Sequence, residues 1–324
     1  MRVAVTGGTG FLGAHSVAAL DAAGHSVRLL ARGSLEALTA LGVPTTRLEV
    51  VRGDVTDAGA VAELLQGCDA VLHAAGVVGL DERDAARMQA VNVDATRLVL
   101  TSAVGLGLDP VVHVSSYSAL FPSADPVLGP DTPTTSDPRS AYGRTKAAGD
   151  RLARALQATG APVVLTYPST VLGPPAGTRR GIAAIGWDPL LRLGLSITFD
   201  GGMAMVDVRD VAAVHVAVME PGRGPRRFMC GGRMVGFDDV LDLLQEASGR
   251  RIRRVRIPNR VLLGVGRAAD LAARVLPMAP LLSYEAAWLL TSGIPTDDSR
   301  THEELGVHWR PTAQTVRAAV QPAS

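Results

Sequence analysis

Six short apolar runs recur through the first 170 residues of this 324-residue chain, and a polar or helical stretch separates each from the next. Residues 3–6, 26–31, 48–52, 70–73, 111–115 and 163–167 read as buried strands, and 11–23, 61–66, 82–104 and 140–159 as helices between them. A strand that is apolar along its whole length needs cover on both faces, and alternation with helices supplies it. The spacing predicts an α/β fold with a doubly wound parallel sheet, whose ligands lie at the carboxyl ends of the strands. After Pro168 the rhythm changes to loops rich in Gly and Pro and then to a helix-dominated remainder, which predicts a smaller, partly intertwined second lobe.

The first run leads directly into Thr6-Gly7-Gly8-Thr9-Gly10-Phe11-Leu12-Gly13, which opens the first helix. Gly7 allows a tight turn, Gly10 lets the backbone approach a pyrophosphate, and Gly13 permits close packing of helix on strand. Free amides at the helix start, from Phe11 and Leu12 onward, face the negative charge. With five further strands behind it, this pattern reads as a dinucleotide site. An acidic residue at the end of the second strand would grip the ribose hydroxyls of NAD, but the chain carries Ala31-Arg32-Gly33-Ser34, a cation suited to a 2′-phosphate. NADP(H) is therefore the favoured cofactor, with NAD(H) as the alternative. Asp54-Val55, after the third strand, suits an adenine contact, or Asp54 caps the helix after Thr56. His73-Ala74-Ala75-Gly76 ends the fourth strand with small residues that leave room for a cofactor, and His73 reads as packed or hydrogen-bonded.

Every Lys or Arg in the chain is arginine except Lys146, four residues after Tyr142. On a helix the two share one face. Hydride transfer to a ketone creates an alkoxide that needs a proton, and a phenol with a pKa near ~10 is a sluggish donor at neutral pH. An adjacent ammonium favours the phenolate and lowers that pKa. Ser115-Ser116 ends the fifth strand, and a hydroxyl such as Ser116 can hold the substrate oxygen beside Tyr142; strand-end capping is the competing role.

Composition narrows the partners. The formal net charge is +1, so neither nucleic acid nor an anionic membrane is expected, and aromatics at 4% are too sparse for a base-stacking platform. Cys68 and Cys230 stand far apart in unrelated contexts, which predicts no metal site and a reducing, cytoplasmic setting. Neither an export signal nor an apolar membrane-spanning run is apparent in the sequence.

Taken together, Gly7, Gly10 and Gly13, Asp54-Val55, His73-Ala74-Ala75, Asn92-Val93, Ser115-Ser116, Tyr142-x-x-x-Lys146, Asp298-Ser299-Arg300 and Glu304-Leu305-Gly306 resemble the extended short-chain dehydrogenase/reductases, the NAD-dependent epimerase/dehydratase superfamily. The resemblance implies a Rossmann domain over 1–170, with 204–220 returning to it, and a lobe over 171–324 that mainly binds substrate. It implies a triad of Ser116, Tyr142 and Lys146, with Lys146 also on the nicotinamide ribose. Asn92 joins this catalytic set by holding a water or the lysine region, with helix packing as its alternative. Homodimers through 82–104 and 140–159 are a further implication.

Within the branch, Val206-Asp207-Val208-Arg209-Asp210-Val211-Ala212 and Thr166-Tyr167-Pro168-Ser169-Thr170-Val171-Leu172-Gly173-Pro174 resemble the dihydroflavonol reductase and cinnamoyl-CoA reductase group. In that group the backbone after Pro168, here Thr170 and Val171, would meet the nicotinamide carboxamide. Residues 178–202 hold Ile182, Ile185, Trp187, Leu190, Leu191, Leu193, Leu195, Ile197 and Phe199, which favours a small hydrophobic carbonyl substrate, core packing being the alternative. Leu262, Leu263, Val265, Ala269, Leu271, Ala272 and Val275 form a stripe expected to pack on the first lobe or to line a pocket. The expected activity is NADPH-dependent carbonyl reduction. The alternatives are a nucleotide-sugar epimerase or dehydratase with tightly held NAD, a 3β-hydroxysteroid dehydrogenase-like alcohol oxidation, and a non-catalytic NADP-binding sensor.

Overall fold

Side chains along each central strand are buried in alternation against two different helix layers. The computed structural model describes residues 1–79, 82–273 and 284–320. Strands β1 (Arg2–Thr6), β2 (Ser26–Ala31), β3 (Glu49–Arg52), β4 (Ala70–His73), β5 (Val111–Val114) and β6 (Val163–Pro168) fall close to the expected runs. Val3, Val5, Leu72 and Val112 join one core, beneath α1 (Phe11–Ala22) and α2 (Glu36–Ala40). Ala4, Val71, Val111 and Leu165 join the other, beneath α3 (Ala58–Leu65) and two further helices, α5 (Ala95–Gly105) and α6 (Ala141–Ala158). A short α4 (Ala85–Gln89) precedes α5.

The single helix expected over 82–104 is broken. A 3₁₀ turn (Glu82–Asp84), α4, a π-helical turn (Ala90–Asp94) and α5 follow one another. The wide turn contains Asn92, whose side chain bonds away from the helix, and such insertions mark places where a residue has been re-aimed.

Beyond Pro168 the remainder holds more strands than expected: β7 (Thr170–Leu172), β8 (Leu195–Thr198), β9 (Gly202–Asp207), β10 (Arg226–Cys230), β11 (Arg233–Gly236) and β12 (Arg253–Arg256). The main sheet is parallel throughout, in the order β10-β6-β5-β4-β1-β2-β3. β11-β9-β7 and β12-β8 form two small sheets. The strand order reverses beside β1 and β4, which opens the crevice where doubly wound folds bind ligands. Helices α7 (Ile182–Leu193), α8 (Val208–Ala217), α9 (Phe237–Ser248), α10 (Asn259–Ala273), α11 (Tyr284–Ser292), α12 (Ser299–Leu305) and α13 (Thr312–Val320) complete the described residues. The chain returns to the first layer through α8, packed on α1, and through β10, whereas residues 204–207 lie in β9 of a small sheet. Val275 and the tail beyond Val320 lie outside the described residues. No described helix is long and apolar enough to cross a membrane.

The late motifs act as staples between the lobes. Asp298 accepts from the Gly231 and Gly232 amides at 2.8 and 3.0 Å, from Trp309 Nε1 at 3.0 Å and from Thr296 Oγ1 at 3.2 Å. Asp207 caps α8 and accepts from Thr315 Oγ1 at 2.9 Å, and Asp210 accepts from the Arg310 amide at 2.7 Å. Asp298→Ala leaves buried donors without an acceptor and is expected to lower stability by about 2–4 kcal/mol in urea unfolding, with Asp298→Asn intermediate. An alanine variant within about 0.5 kcal/mol of wild type would show that water replaces the carboxylate.

Candidate active site

Two glycines set the cofactor end of the site. A β-carbon on Gly13 would lie 2.1 Å from the Gly7 carbonyl oxygen, and one on Gly7, whose φ is +74°, would lie 2.5 Å from the Ala74-Ala75 backbone. The start of α1 and the ends of β1 and β4 therefore meet at backbone distance. The Ala14 amide donates to the Gly10 carbonyl, while the amides of Phe11, Leu12 and Gly13 have no backbone acceptor among the described residues. The first turn has no acidic residue. Three open donors at the positive end of a helix fit a pyrophosphate.

Arg32 and Asp54 meet at the ends of β2 and β3, an ion pair that sequence spacing did not show. Arg32 Nη1 lies 3.2 Å from Asp54 Oδ2, and the Arg32 side chain is 67% exposed. Asp54 Oδ1 accepts from the Thr56 amide and hydroxyl at 3.0 and 2.8 Å, and these bonds lead the forces holding its carboxyl below the usual range. The helix cap considered for Asp54 is corrected: Asp57 caps α3, accepting from Gly59 and Ala60. Val55 packs against the core beside it.

At the end of β4, His73 lies between Thr6 Oγ1 at 2.7 Å and Thr96 Oγ1 at 3.0 Å. Burial lowers its pKa to about 3, so it is a neutral structural imidazole. Ala74 and Ala75 are held by Thr6, and Gly76 is exposed at the rim.

Ser116, Tyr142 and Lys146 converge from β5 and α6. Ser140 caps α6, accepting from the Gly143 amide at 2.9 Å, and Glu82 accepts from the Ala141 amide at 2.7 Å, which secures the turn carrying Tyr142. Tyr142 Oη donates to Ser116 Oγ across a long 3.4 Å. Ser115 instead buries an Oγ that has no partner among the described residues, so Ser116 is the hydroxyl that faces the phenol. Lys146 Nζ donates to the Val114 carbonyl at 3.1 Å, leaving two of its three donors for other acceptors.

The electrostatics correct one expectation. Burial pushes the Tyr142 phenol above its ordinary value, only partly offset by Ser116. Desolvation and the Ser116 bond are the forces that act on it, and the Lys146 ammonium donates to the Val114 carbonyl. Burial lowers Lys146 itself to about 8.

Asn92 hydrogen-bonds to neither Tyr142 nor the Lys146 ammonium among the described contacts. Its Oδ1 accepts from the Val77 amide at 2.8 Å, while Nδ2 donates to the Val77 carbonyl at 2.9 Å and to Thr145 Oγ1 at 3.1 Å. It clamps the β4 loop to the residue before Lys146, a positioning role. Pro168 ends β6, and Thr170 and Val171 pair with Met205 and Val206. A β-carbon on Gly181 would meet both the Val171 carbonyl at 2.5 Å and the Phe11 ring at 3.3 Å, so β7 reaches the start of α1.

The apolar residues of 178–202 do not form one pocket wall. Trp187 and Phe199 are buried in the second lobe's own core, with Leu190 and Leu191 packed against it, while Ile182, Ile185, Leu193, Leu195 and Ile197 are exposed. The α10 stripe is also re-assigned. Leu262 enters that same core, Leu263 and Ala269 are half-buried, and Val265, Leu271 and Ala272 face solvent. Glu82 and Asp57 were not singled out by the sequence, since a carboxylate's partner amide is known only after folding.

The model of the NAD dependent epimerase/dehydratase family matches residues 3–231. The chain is 29% identical to sterol demethylase protein B of Methylococcus capsulatus, over 95% of this chain and 93% of that protein. It is 27% identical to a putative dihydroflavonol 4-reductase of Synechocystis, over 98% and 92%, and 29% identical to a farnesyl-dihydroquinoline-oxide ketoreductase of Stigmatella aurantiaca, over 100% and 96%. Among solved structures, MoeE5 in complex with UDP-glucuronic acid and NAD superposes with a TM-score of 0.74 at 24% identity, over 99% of this chain and 98% of that one, which shows the fold. With its Gly7–Gly13 cradle, its parallel sheet and Tyr142-x-x-x-Lys146 in place, the chain belongs to the NAD dependent epimerase/dehydratase family.

Proposed function

We propose that this protein is an NADPH-dependent reductase of a carbonyl on a small, rather hydrophobic substrate. The observation that carries the reading is the convergence of Ser116, Tyr142 and Lys146 at the carboxyl edge of the sheet, beside three open amides of α1. Bound there, the nicotinamide supplies hydride to the carbonyl carbon. Ser116 Oγ donates a hydrogen bond to the carbonyl oxygen, and Tyr142 transfers its phenolic proton to the developing alkoxide. A phenol held above its ordinary pKa by burial stays protonated until the substrate arrives, which suits it to the reductive direction. Lys146 remains charged below about pH 8, and the donors it does not spend on Val114 suit it to the nicotinamide ribose. Asn92 and Glu82 hold the two sides of this arrangement in place.

Similarity to two proteins named as reductases supports this over epimerisation. The fold neighbour with a nucleotide sugar is more distant. The exposed side chain of Arg32 supports the 2′-phosphate, its ion pair with Asp54 leaving most of it open to solvent.

Arg32→Asp is expected to lower kcat/KM with NADPH about a hundredfold and to raise relative use of NADH; an unchanged ratio of the two efficiencies removes Arg32 from cofactor choice. Tyr142→Phe is expected to abolish NADPH oxidation with an aldehyde and ketone panel while NADPH fluorescence still reports binding, and retained turnover would exclude the phenol as proton donor. The sign of the pH effect follows from Lys146. Its folded pKa is lowered to about 8, so the ammonium is present at neutral pH and is lost as pH rises through that value. Reduction should fall over the same window. Lys146→Arg should turn over at least about tenfold more slowly and lack that limb, since a guanidinium does not titrate there; persistence of the limb assigns it to another group.

A further inference from the structure

The near-neutral balance of the whole chain conceals a local excess of charge. Arg250, Arg251, Arg253, Arg254, Arg256, Arg260 and Arg267 fall between Gly249 and Ala269 with no acidic residue among them. Arg254 pairs with Asp238 and Asp242, and Arg256 with Asp200 and Asp238. Arg250 donates to the Leu191 carbonyl at 3.0 Å and Arg267 lies over the Tyr284 ring at 4.7 Å. Among the described residues, Arg251, Arg253 and Arg260 have no acidic partner and are exposed.

The same segment carries apolar side chains that the fold leaves uncovered. β8 and β12 pair in parallel with Leu195 opposite Arg253 and Ile197 opposite Val255, so these four share one face of the ribbon. Ser196 and Thr198, on the other face, are buried against the lobe. Leu193, 77% exposed, immediately precedes this ribbon. Asn259, at the start of α10, bonds to both backbone groups of Asp200, which fixes that helix beside the end of β8. Along α10, Val261, Gly264, Val265, Ala268, Leu271 and Ala272 are exposed at helical spacing, with Arg260 and Arg267 along the stripe's edge. This inverts the usual surface helix, which turns its apolar stripe inward.

We propose that the β8–β12 ribbon and the outer stripe of α10 dock this protein on an anionic lipid bilayer. Aliphatic side chains enter the boundary between headgroups and acyl chains, and the guanidinium groups bind lipid phosphates. A second copy of the chain fits less well, since a two-fold contact through this face would set Arg251, Arg253 and Arg260, which have no acidic partner among the described residues, against one another. Docking is independent of the carbonyl reductase reading. If both hold, it brings the site to a phase where apolar substrates concentrate.

The test is sedimentation of the full chain, without cofactor or substrate, with phosphatidylcholine vesicles that contain or lack phosphatidylglycerol. Binding at least about tenfold tighter to the anionic vesicles, weakening as salt rises, is expected. Arg251→Glu/Arg253→Glu/Arg260→Glu and, separately, Val261→Asp/Leu271→Asp should each lose about tenfold or more while keeping wild-type circular dichroism and thermal unfolding. Tyr142→Phe should bind vesicles like wild type, which separates this proposal from the catalytic one. Equal binding to both vesicle types, or wild-type binding by both surface variants, overturns it. So does a wild-type dimer that these variants convert to monomer in analytical ultracentrifugation while no vesicle binding is seen.

Discussion

Seven parallel strands must all end at one edge, and the location of every group in the candidate site follows from that constraint. The glycine loop after β1, Arg32 after β2, Asp54 after β3, Ala74 to Gly76 after β4, Ser116 after β5 and Pro168 at the end of β6 are far apart in sequence. They share an edge because parallel pairing aligns chain direction. The reversal of strand order beside β1 then separates the helices enough for a dinucleotide to enter. Gly13 expresses the constraint at the cofactor end: any side chain there would drive α1 off the Gly7 carbonyl and misdirect the open amides.

Behind that edge, buried polar groups hold the site from within. Thr6, His73 and Thr96 form a chain linking β1, β4 and α5, and Asn92 links the β4 loop to α6. Such groups are expensive to bury unless satisfied, and when satisfied they specify one geometry. His113 departs from the pattern. It stacks on His73 with ring centroids 5.4 Å apart, and both of its nitrogens lack a partner among the described residues. Burial and the neighbouring charges keep it neutral, so the nearby Lys146 ammonium is the cation of this region.

Carboxylates tie the late segments of the chain to the rest of the fold. Asp298, Asp207 and Asp210 each accept from backbone or side-chain donors that lie between 2 and 108 positions away. The segment around Asp207 and Asp210, which resembles a reductase-group signature, works here as a staple for helix α13.

Local chemistry made much of this protein legible before folding. Unbroken apolar runs require burial on both faces, glycines at three-residue spacing require close backbone contact, and Tyr142 and Lys146 four apart on a helix require a shared face. These are properties of neighbouring residues, so strands β1 to β6, the α1 cradle and the shared face of Tyr142 and Lys146 could be read from order, whereas Ser116 as their partner came from the family resemblance. Tertiary structure decided what depends on distant partners. It turned Lys146 to Val114, paired Arg32 with Asp54, made Asn92 a clamp, and split the apolar residues of 178–202 and α10 between core and surface. An apolar pattern states that a face prefers to leave water. Which faces are covered is fixed only when the rest of the chain has taken its place.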